Sequence, residues 1–223
     1  NSLDGYPGYK DHENDLVAWY KFDGDFTDSS GNGNDLTLIS GTVNNINGII
    51  NSAISVSNDT RLEINNPDNV FSSGQTAMSF GFWVNNLLSS KTSQTILRYR
   101  STNIMIRYNY SNDKKLHFLV EGGYINLLLQ NGITNWTNIV FVAYDDIRKV
   151  YVNGIENTEN IEINNTGTLD DGFTADDPIG KLEFFNNPGF GDYAYCDLDD
   201  FRIYNKALSD FEVKQIYSGY TVS

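Results

Sequence analysis

Hydrophobic and polar residues alternate along most of the chain, and this two-residue period is typical of β-strands. Met78, Phe80, Phe82 and Val84 lie on one face of a predicted strand. The predicted strand 104–110 alternates in the same way and turns Arg107 away from its apolar face. We therefore predict a protein built from strands that each bury one face in a shared core.

Three further segments refine this prediction. Residues 136–144 are apolar at nearly every position, as expected of a strand that is covered on both sides. The pair Asn153–Gly154 lies between apolar residues and predicts a tight hairpin turn. Ser209 and Glu212 have the spacing of a capping box and predict one short helix near the C-terminus.

The length of the chain favours a single domain. β-Sandwiches often reach 200–250 residues as one unit, and this chain has 223. Clusters of Gly, Asn, Asp and Ser separate the strands, and no internal linker interrupts them. We predict two antiparallel sheets packed face to face over residues 15–223. Residues 1–14 are expected to be a tail or a linker from another part of a longer protein.

Charge and cysteine content exclude several classes of function. Fifteen basic and 29 acidic residues give a net charge of −14, which argues against nucleic acid and anionic membrane surfaces as partners. No apolar run reaches the roughly 18 residues of a membrane-spanning helix, so we expect no membrane insertion. The single Cys196 excludes an intrachain disulfide and a cysteine-rich zinc site. An acidic chain suits Ca²⁺, which prefers oxygen ligands.

Five motifs in order resemble the LamG-like jelly-roll domains of the concanavalin A-like lectin/glucanase superfamily, and the likeness extends over about residues 16–217. They lie at residues 18–34, 48–64, 80–84, 136–154 and 198–209. The resemblance implies a jelly-roll sandwich. It leaves the function open, because this fold hosts lectins, adhesion modules, glycosidases and structural spacers.

The first loop of the chain is rich in oxygen ligands and glycines. The resemblance implies that this loop and the acidic residue of the final strand hold a structural calcium ion. Asp23, Asp28, Asn32 and Asp199 are the predicted ligands. The alternative is that Asp28 and Asn32 form hydrogen-bonded turns without a metal.

The motifs of catalysis are missing. The Glu-x-Asp-x-Glu strand of related β-glucan hydrolases does not occur, and no nucleophile or lyase motif surrounds His117. We therefore expect no enzymatic activity.

Carbohydrate sites combine aromatic faces with planar polar groups, and we select Arg107, Tyr124 and Tyr193 as ligand-binding residues on these grounds. The predicted function is that of a non-catalytic, lectin-like module, stabilised by calcium, that binds a polysaccharide or other glycan. We expect it to belong to a larger extracellular, cell-surface or virion-surface protein. A structural or protein-interaction domain used in adhesion, and a polysaccharide-degrading enzyme with displaced acids, are the alternatives.

Overall fold

The computed structural model describes residues 15–57, 59–64, 70–71, 74–99, 104–120, 122–164, 169, 181–187 and 192–219. The predicted tail, residues 1–14, lies outside these ranges. Within them the strands are β1 (Leu16–Tyr20), β2 (Thr37–Ser40), β3 (Val43–Asn47), β4 (Ser52–Val56), β5 (Arg61–Ile64), β6 (Ala77–Asn85), β7 (Gln94–Tyr99), β8 (Ile104–Tyr108), β9 (Lys115–Val120), β10 (Gly123–Leu128), β11 (Thr137–Tyr144), β12 (Ile147–Val152), β13 (Ile155–Glu156), β14 (Ile161–Asn164), β15 (Leu182–Phe184), β16 (Asn186–Asn187), β17 (Asp192–Tyr193) and β18 (Cys196–Tyr204). The helix α1 spans Asp210–Ser218.

These strands form two large sheets and one small ribbon. Sheet A has the order β13-β12-β11-β6-β18-β4-β3, and β1 also pairs with β18. Sheet B has the order β14-β10-β9-β8-β7-β15-β5-β2, and β16 pairs with β17 in the ribbon. All the strand pairs are antiparallel, so the predicted two-sheet jelly-roll sandwich is confirmed. The pairing of β1 with β18 brings the two ends of the fold together.

The core lies between the inner faces of the two sheets. The four alternating residues of β6 (Met78, Phe80, Phe82 and Val84) are fully buried in it, as the period-2 pattern predicts. Phe82 stacks on Phe201 of β18 in the same sheet, with 5.2 Å between the ring centroids. Burial of apolar surface on this scale is the dominant favourable contribution to folding.

Helix α1 begins with the predicted capping box. The Ser209 hydroxyl accepts a hydrogen bond from the Glu212 backbone N–H, and the Glu212 carboxylate accepts one from the Ser209 backbone N–H at 2.7 Å. The helix packs on the outer face of sheet A through a second group of buried side chains. This outer apolar cluster consists of Leu16, Val140, Val142, Tyr151, Tyr204, Leu208, Val213 and Ile216. In the described part of the chain, no helix has the length and apolar character needed to cross a membrane.

The predicted hairpin turn joins β12 to β13. Asn153 and Gly154 both have positive φ angles, 51° and 76°, as a type I′ turn requires. The Asn153 side-chain oxygen accepts a hydrogen bond from the Asn138 backbone N–H at 2.9 Å. A Cβ atom on Gly154 would lie 2.9 Å from the Tyr217 Cβ, so glycine also allows the end of α1 to approach the turn.

One strand is shorter than predicted. The alternation suggested a strand through residue 110, whereas β8 ends at Tyr108. Asn109 adopts a φ of 57°. Its side-chain amide donates a hydrogen bond to the Lys91 carbonyl at 2.7 Å, and its side-chain oxygen accepts one from the Lys114 backbone N–H at 2.8 Å. These bonds stop the strand and start a short 3-10 turn at Tyr110.

Candidate functional site

A line of polar side chains crosses the outer face of sheet B. Glu162 of β14, Asn126 of β10, His117 of β9, Arg107 of β8 and Thr95 of β7 lie opposite one another in register. The residues that alternate with them on the four inner strands lie in the core, so this polar row faces away from the core; they include Ile96, Ile106, Phe118 and Ile125. We call these five residues the polar row.

The ribbon β16-β17 packs against β7 beside the polar row. It carries Asn186 opposite Tyr193, together with Asp192. The segment after it is anchored by the Tyr195 backbone N–H, which donates to the Gln94 side-chain oxygen at 3.1 Å. Burial raises the pKa of the Asp192 carboxyl above its ordinary value, although the charges of Arg107 and Arg98 oppose the shift.

Arg107 lies at the centre of this region. Its guanidinium carbon is 3.7 Å from the centroid of the Tyr110 ring, which is 40 % exposed at the end of the shortened strand. The stacking holds the planar guanidinium in one orientation. The pKa of Arg107 is lowered by burial, and the nearby charges of Asp192 and Asp113 oppose this effect.

Arg107 makes no ion pair with any of the described residues, and its buried Nε has no hydrogen-bond acceptor among them. Thr95 Oγ1 and Asn186 Oδ1 are also buried and unpartnered within the described ranges. Buried polar atoms are nearly always hydrogen-bonded in native proteins. Thr95 and Asn186 are buried as whole residues, whereas Arg107 is partly exposed, so its guanidinium is the group among these three that another molecule can reach from solvent.

Of the remaining members of the polar row, His117 and Glu162 have charged partners, whereas Asn126 Oδ1 is buried without a hydrogen-bond partner among the described residues. His117 Nε2 lies 2.7 Å from Asp113 Oδ2. The carboxylate of Glu162 accepts from Lys115 Nζ at 2.7 Å and from Asn126 Nδ2 at 3.4 Å. Burial lowers the pKa of His117, and this effect is larger than the opposite one of Asp113.

The three residues predicted from the sequence to bind a glycan lie close to this region. Arg107 belongs to the polar row, and Tyr124 lies on the same face of β10, opposite Leu119 of β9. Tyr193 lies on the ribbon beside β7. That they contact a ligand stays a prediction.

The sequence analysis did not select Thr95, Tyr110, Asn186 or Asp192. The alternating pattern could not identify them as site residues. Tyr110 lies in a turn, and Asn186 and Asp192 lie on a ribbon that is distant in sequence from β7 and β8.

Two of the four predicted calcium ligands meet at the turn between β3 and β4. Asp199 Oδ2 accepts a hydrogen bond from the Ile49 backbone N–H at 2.7 Å, and Asp23 Oδ1 accepts one from the Ser52 N–H at 3.0 Å. Burial raises the pKa of Asp199 to about 7, and the charges of Asp200 and Asp23 add to the shift. A cation between Asp199 and Asp23 would relieve this repulsion.

The other two predicted ligands are bonded within the first loop. Asp28 accepts from the backbone N–H groups of Trp19, Ser30 and Asn34 and from the Ser30 hydroxyl, at 2.8–3.0 Å. The amide of Asn32 donates to two backbone carbonyls of β1, at 2.9 and 3.1 Å. These contacts are those of a hydrogen-bonded turn. Within the described ranges no three His, Cys, Asp or Glu side chains are grouped so as to hold a metal ion.

The sequence of residues 56–214 matches the Laminin_G_3 family, described as the Concanavalin A-like lectin/glucanases superfamily. The chain belongs to this family. The resemblance inferred from the five sequence motifs is thereby confirmed. Among the curated proteins, none matches the chain.

Solved structures with the same fold include binding domains of several proteins. The binding domain of Paraclostridial Mosquitocidal Protein 1 has a TM-score of 0.71 and 18 % identity, over 95 % of this chain and 53 % of that one. Domain 4 of AbnA, a GH43 extracellular arabinanase from Geobacillus stearothermophilus solved in complex with arabinotriose, has a TM-score of 0.67 and 22 % identity, over 91 % and 98 %. The receptor binding domain of the botulinum neurotoxin C/D mosaic serotype has a TM-score of 0.67 and 16 % identity, over 93 % and 52 %. This chain therefore spans about half the length of the two toxin domains.

Proposed function

We propose that this chain is a non-catalytic carbohydrate-binding module of a larger extracellular protein, and that its glycan binds along the polar row. The observation that supports the proposal is that Arg107 has no hydrogen-bonding or charged partner among the described residues. Its guanidinium is oriented by Tyr110 and half-buried, yet it makes no ion pair or hydrogen bond with the described residues. Desolvating a charged donor without giving it an acceptor costs free energy, and a ligand that brings acceptors recovers it.

Glycan hydroxyls suit this surface better than an apolar partner does. Arg107 offers hydrogen-bond donors in a fixed plane, and glycan hydroxyls can accept hydrogen bonds from them. Tyr124 and Tyr193 lie half-buried nearby, and tyrosine rings pack well against the C–H faces of sugars.

The similar solved structures favour binding over catalysis. One of them is a domain of an extracellular arabinanase in complex with arabinotriose, and others are binding domains of toxins. Since their identity to this chain is low, they support the proposal through the shared fold.

The acidic side chains near the polar row are poorly suited to glycoside hydrolysis. Asp113 and Glu162 each lie 2.7 Å from a nitrogen of a basic side chain, His117 and Lys115 respectively, which leaves Asp192 as the remaining carboxyl group described beside the row. A glycosidase needs one carboxyl group as an acid and a second that is free to act as a base or nucleophile.

A calcium ion is a second part of the proposal. Asp23 and Asp199 would supply carboxylate oxygens to it at the turn between β3 and β4. The support is the proximity of the two charges and the raised pKa of the buried Asp199. The ion would then stabilise the fold at a place separate from the polar row.

The test is binding of the purified chain to a glycan array, with calcium and with EDTA. For a glycan that binds, Arg107→Ala should weaken the affinity by at least about tenfold, the effect of losing roughly 1.4 kcal/mol of contact energy. Lys214→Ala is the matched control, because Lys214 is exposed on α1, the helix that packs on sheet A. If Arg107→Ala binds as the wild type does, the location is wrong. If no glycan binds, the structural or protein-interaction alternative takes the place of this proposal.

A further inference from the structure

The basic residues of this acidic chain are unevenly distributed. Residues 69–120 contain six of the 15 Lys and Arg residues but one of the 29 Asp and Glu residues. This segment includes β7, β8 and β9, which are neighbours in the middle of sheet B. The middle of sheet B is therefore formed by a positively charged part of a sequence whose net charge is −14.

Three of these cations meet where β8 ends. The buried side chain of Asn109 donates a hydrogen bond to the Lys91 carbonyl at 2.7 Å and accepts one from the Lys114 N–H at 2.8 Å. Arg107 lies two residues before Asn109, within β8. One buried amide thus joins the backbones of both lysines to the end of the strand that carries the arginine. We call Lys91, Arg107 and Lys114 the basic cluster.

The side chains of the basic cluster are accessible and remain charged. Lys91 and Lys114 are exposed and Arg107 is partly exposed, and none of the three makes an ion pair with a described residue. Lys91 Nζ lies 4.4 Å from the centroid of the Tyr195 ring, much as Arg107 stacks on Tyr110. Stacking on an aromatic ring orients a cation without neutralising it, so the basic cluster offers oriented positive charge to a ligand.

The acidic groups nearby do not cancel this charge. Three carboxylates lie in the same part of sheet B and its ribbon: Asp113, Glu162 and Asp192. Two more cations lie beside the basic cluster: Arg98 and Lys115. Five positive charges are therefore set against three negative ones. The field of more distant acidic residues is screened, because the Debye length at physiological ionic strength is about 8 Å.

We propose that the glycan bound at the polar row is acidic, and that the basic cluster binds its carboxylate or sulfate groups. This inference rests on the proposed function, and it adds the chemical class of the ligand. A planar guanidinium such as that of Arg107 can donate two parallel hydrogen bonds to one such group. An acidic polysaccharide carries anionic groups on successive sugar units, so a single chain can contact cations on three separate segments of the protein.

The experiment compares polysaccharides in pairs that differ in charge. Polygalacturonate and alginate are each compared with their own derivative, in which the carboxylates have been reduced to hydroxyls. Dextran sulfate is compared with dextran. Affinities are measured by isothermal titration calorimetry at physiological ionic strength, for the wild type and for two double variants.

The two double variants remove the same charge from opposite sheets. The test variant is Lys91→Gln with Lys114→Gln, and the control variant is Lys21→Gln with Lys214→Gln. Lys21 is exposed, and its Nζ lies 4.4 Å from the Trp19 ring centroid on sheet A. Lys214 is exposed on α1, which packs on sheet A. The control variant therefore matches both the loss of two charges and the loss of one cation–ring contact.

We expect the acidic member of at least one pair to bind the wild type about tenfold or more tightly than the neutral member does. The test variant should weaken this binding about fivefold or more, because it removes two of the three cations, and the control variant less than about twofold. Binding of polygalacturonate or alginate identifies carboxylates as the recognised groups, and binding of dextran sulfate identifies sulfates.

Three outcomes would overturn the inference, and they can be told apart. Equal or tighter binding of the neutral members by the wild type contradicts an acidic ligand and leaves the proposed glycan-binding function standing. Equal losses in the test and control variants contradict the assignment to the basic cluster, since the overall charge then explains the binding. Absence of binding to every polymer here and on the glycan array contradicts the proposed function itself. Melting temperatures of both variants within a few degrees of the wild type are the control for folding.

Discussion

The outer faces of the two sheets are built from the same alternating pattern and have opposite character. On sheet A, the outward side chains of β11 are Val140 and Val142, and α1 covers them with Val213 and Ile216. On sheet B, the outward side chains form the polar row, and no described helix packs on it. The outer face of sheet A therefore serves stability, while that of sheet B has groups left for a ligand.

Two arginines show this difference most clearly. Arg202 on sheet A lies 4.4 Å from the Trp19 ring centroid, and its Nε is 3.0 Å from Asp200 Oδ2. Arg107 on sheet B stacks on Tyr110 at 3.7 Å without a carboxylate partner among the described residues. Both guanidiniums are oriented by an aromatic ring, but only that of Arg202 is also neutralised.

The largest effect is expected from uncovering the outer face of sheet A. Val213→Asp places a charge in the fully buried apolar contact between α1 and the sheet, and should destabilise the fold by more than about 3 kcal/mol. For a domain of this size the melting temperature should fall by roughly 6–12 °C, measured by circular dichroism. Phe211→Asp is the control on the same helix, since Phe211 is 67 % exposed and should change stability by less than about 0.5 kcal/mol. Equal losses in both variants would show that the helix does not cover the sheet.

The second-largest effect is expected in the stability of Arg202→Ala, compared with that of Arg107→Ala. Arg202→Ala leaves the buried Asp200 without its cation, and should cost about 3 kcal/mol in the free energy of unfolding, measured by urea titration. Arg107→Ala removes a guanidinium that has no partner, and should cost less than about 1 kcal/mol. A large loss of stability in Arg107→Ala would mean that the guanidinium holds the fold together and is not kept for a ligand.

Much of the fold could be predicted because its signals are local. The alternation in β6, the Asn153–Gly154 turn and the Ser209–Glu212 capping box each specify a backbone conformation within a few residues. Family motifs then supplied the arrangement of the sheets. The end of β8 was missed because the bonds that stop it join Asn109 to Lys91, a contact that only the folded chain makes.

The candidate site could be predicted only in part for the same reason. Arg107 was found because alternation shows which residues of a strand face outward. Its surroundings come from the turn at Tyr110 and from the ribbon with Asp192, and no short-range pattern places the ribbon beside β7. The surroundings of the predicted calcium ligands also depend on contacts between distant segments. Asp28 and Asp23 are close in sequence, yet Asp28 accepts hydrogen bonds from the first loop, whereas Asp23 accepts one at the turn before β4.

Removal of calcium tests whether a metal ion stabilises the fold at sheet A, away from the polar row of sheet B. Asp23 follows β1 and Asp199 lies in β18, both of which belong to sheet A. A hundredfold excess of Ca²⁺ over its Kd would stabilise the fold by about 2.7 kcal/mol. EDTA should therefore lower the melting temperature by several degrees, and Asp199→Ala should abolish this response.

Asp28→Ala is the matched variant for this experiment. It should lower the melting temperature through the loss of its loop hydrogen bonds, and still respond to calcium. If Asp28→Ala also abolishes the response, the ion is bound by the complete set predicted from the sequence. An unchanged wild-type melting temperature in EDTA would contradict the calcium site.

The smallest effect concerns the pH dependence of stability at the polar row. Burial holds the pKa of folded His117 below its unfolded value of about 6.5, although Asp113 at 2.7 Å opposes the shift. Arg107 favours the neutral imidazole, and the Lys115–Glu162 pair is the other charged group nearby. Above pH 6.5 His117 is neutral in both states, and its contribution to stability is complete.

Below pH 6.5 the unfolded chain takes up the proton more readily than the folded one, so stability should fall as the pH falls towards the folded pKa of His117. One proton changes the free energy of unfolding by at most about 1.4 kcal/mol per pH unit. Urea titrations between pH 5 and 8, as a difference between wild type and His117→Gln, isolate this contribution from that of the carboxyl groups. The difference in the free energy of unfolding between the two proteins should shrink on acidification, because only the wild type loses stability through protonation of residue 117. If it grows instead, the ion pair with Asp113 is stronger than desolvation, and the polar row carries an additional positive charge on His117 in mildly acidic solution.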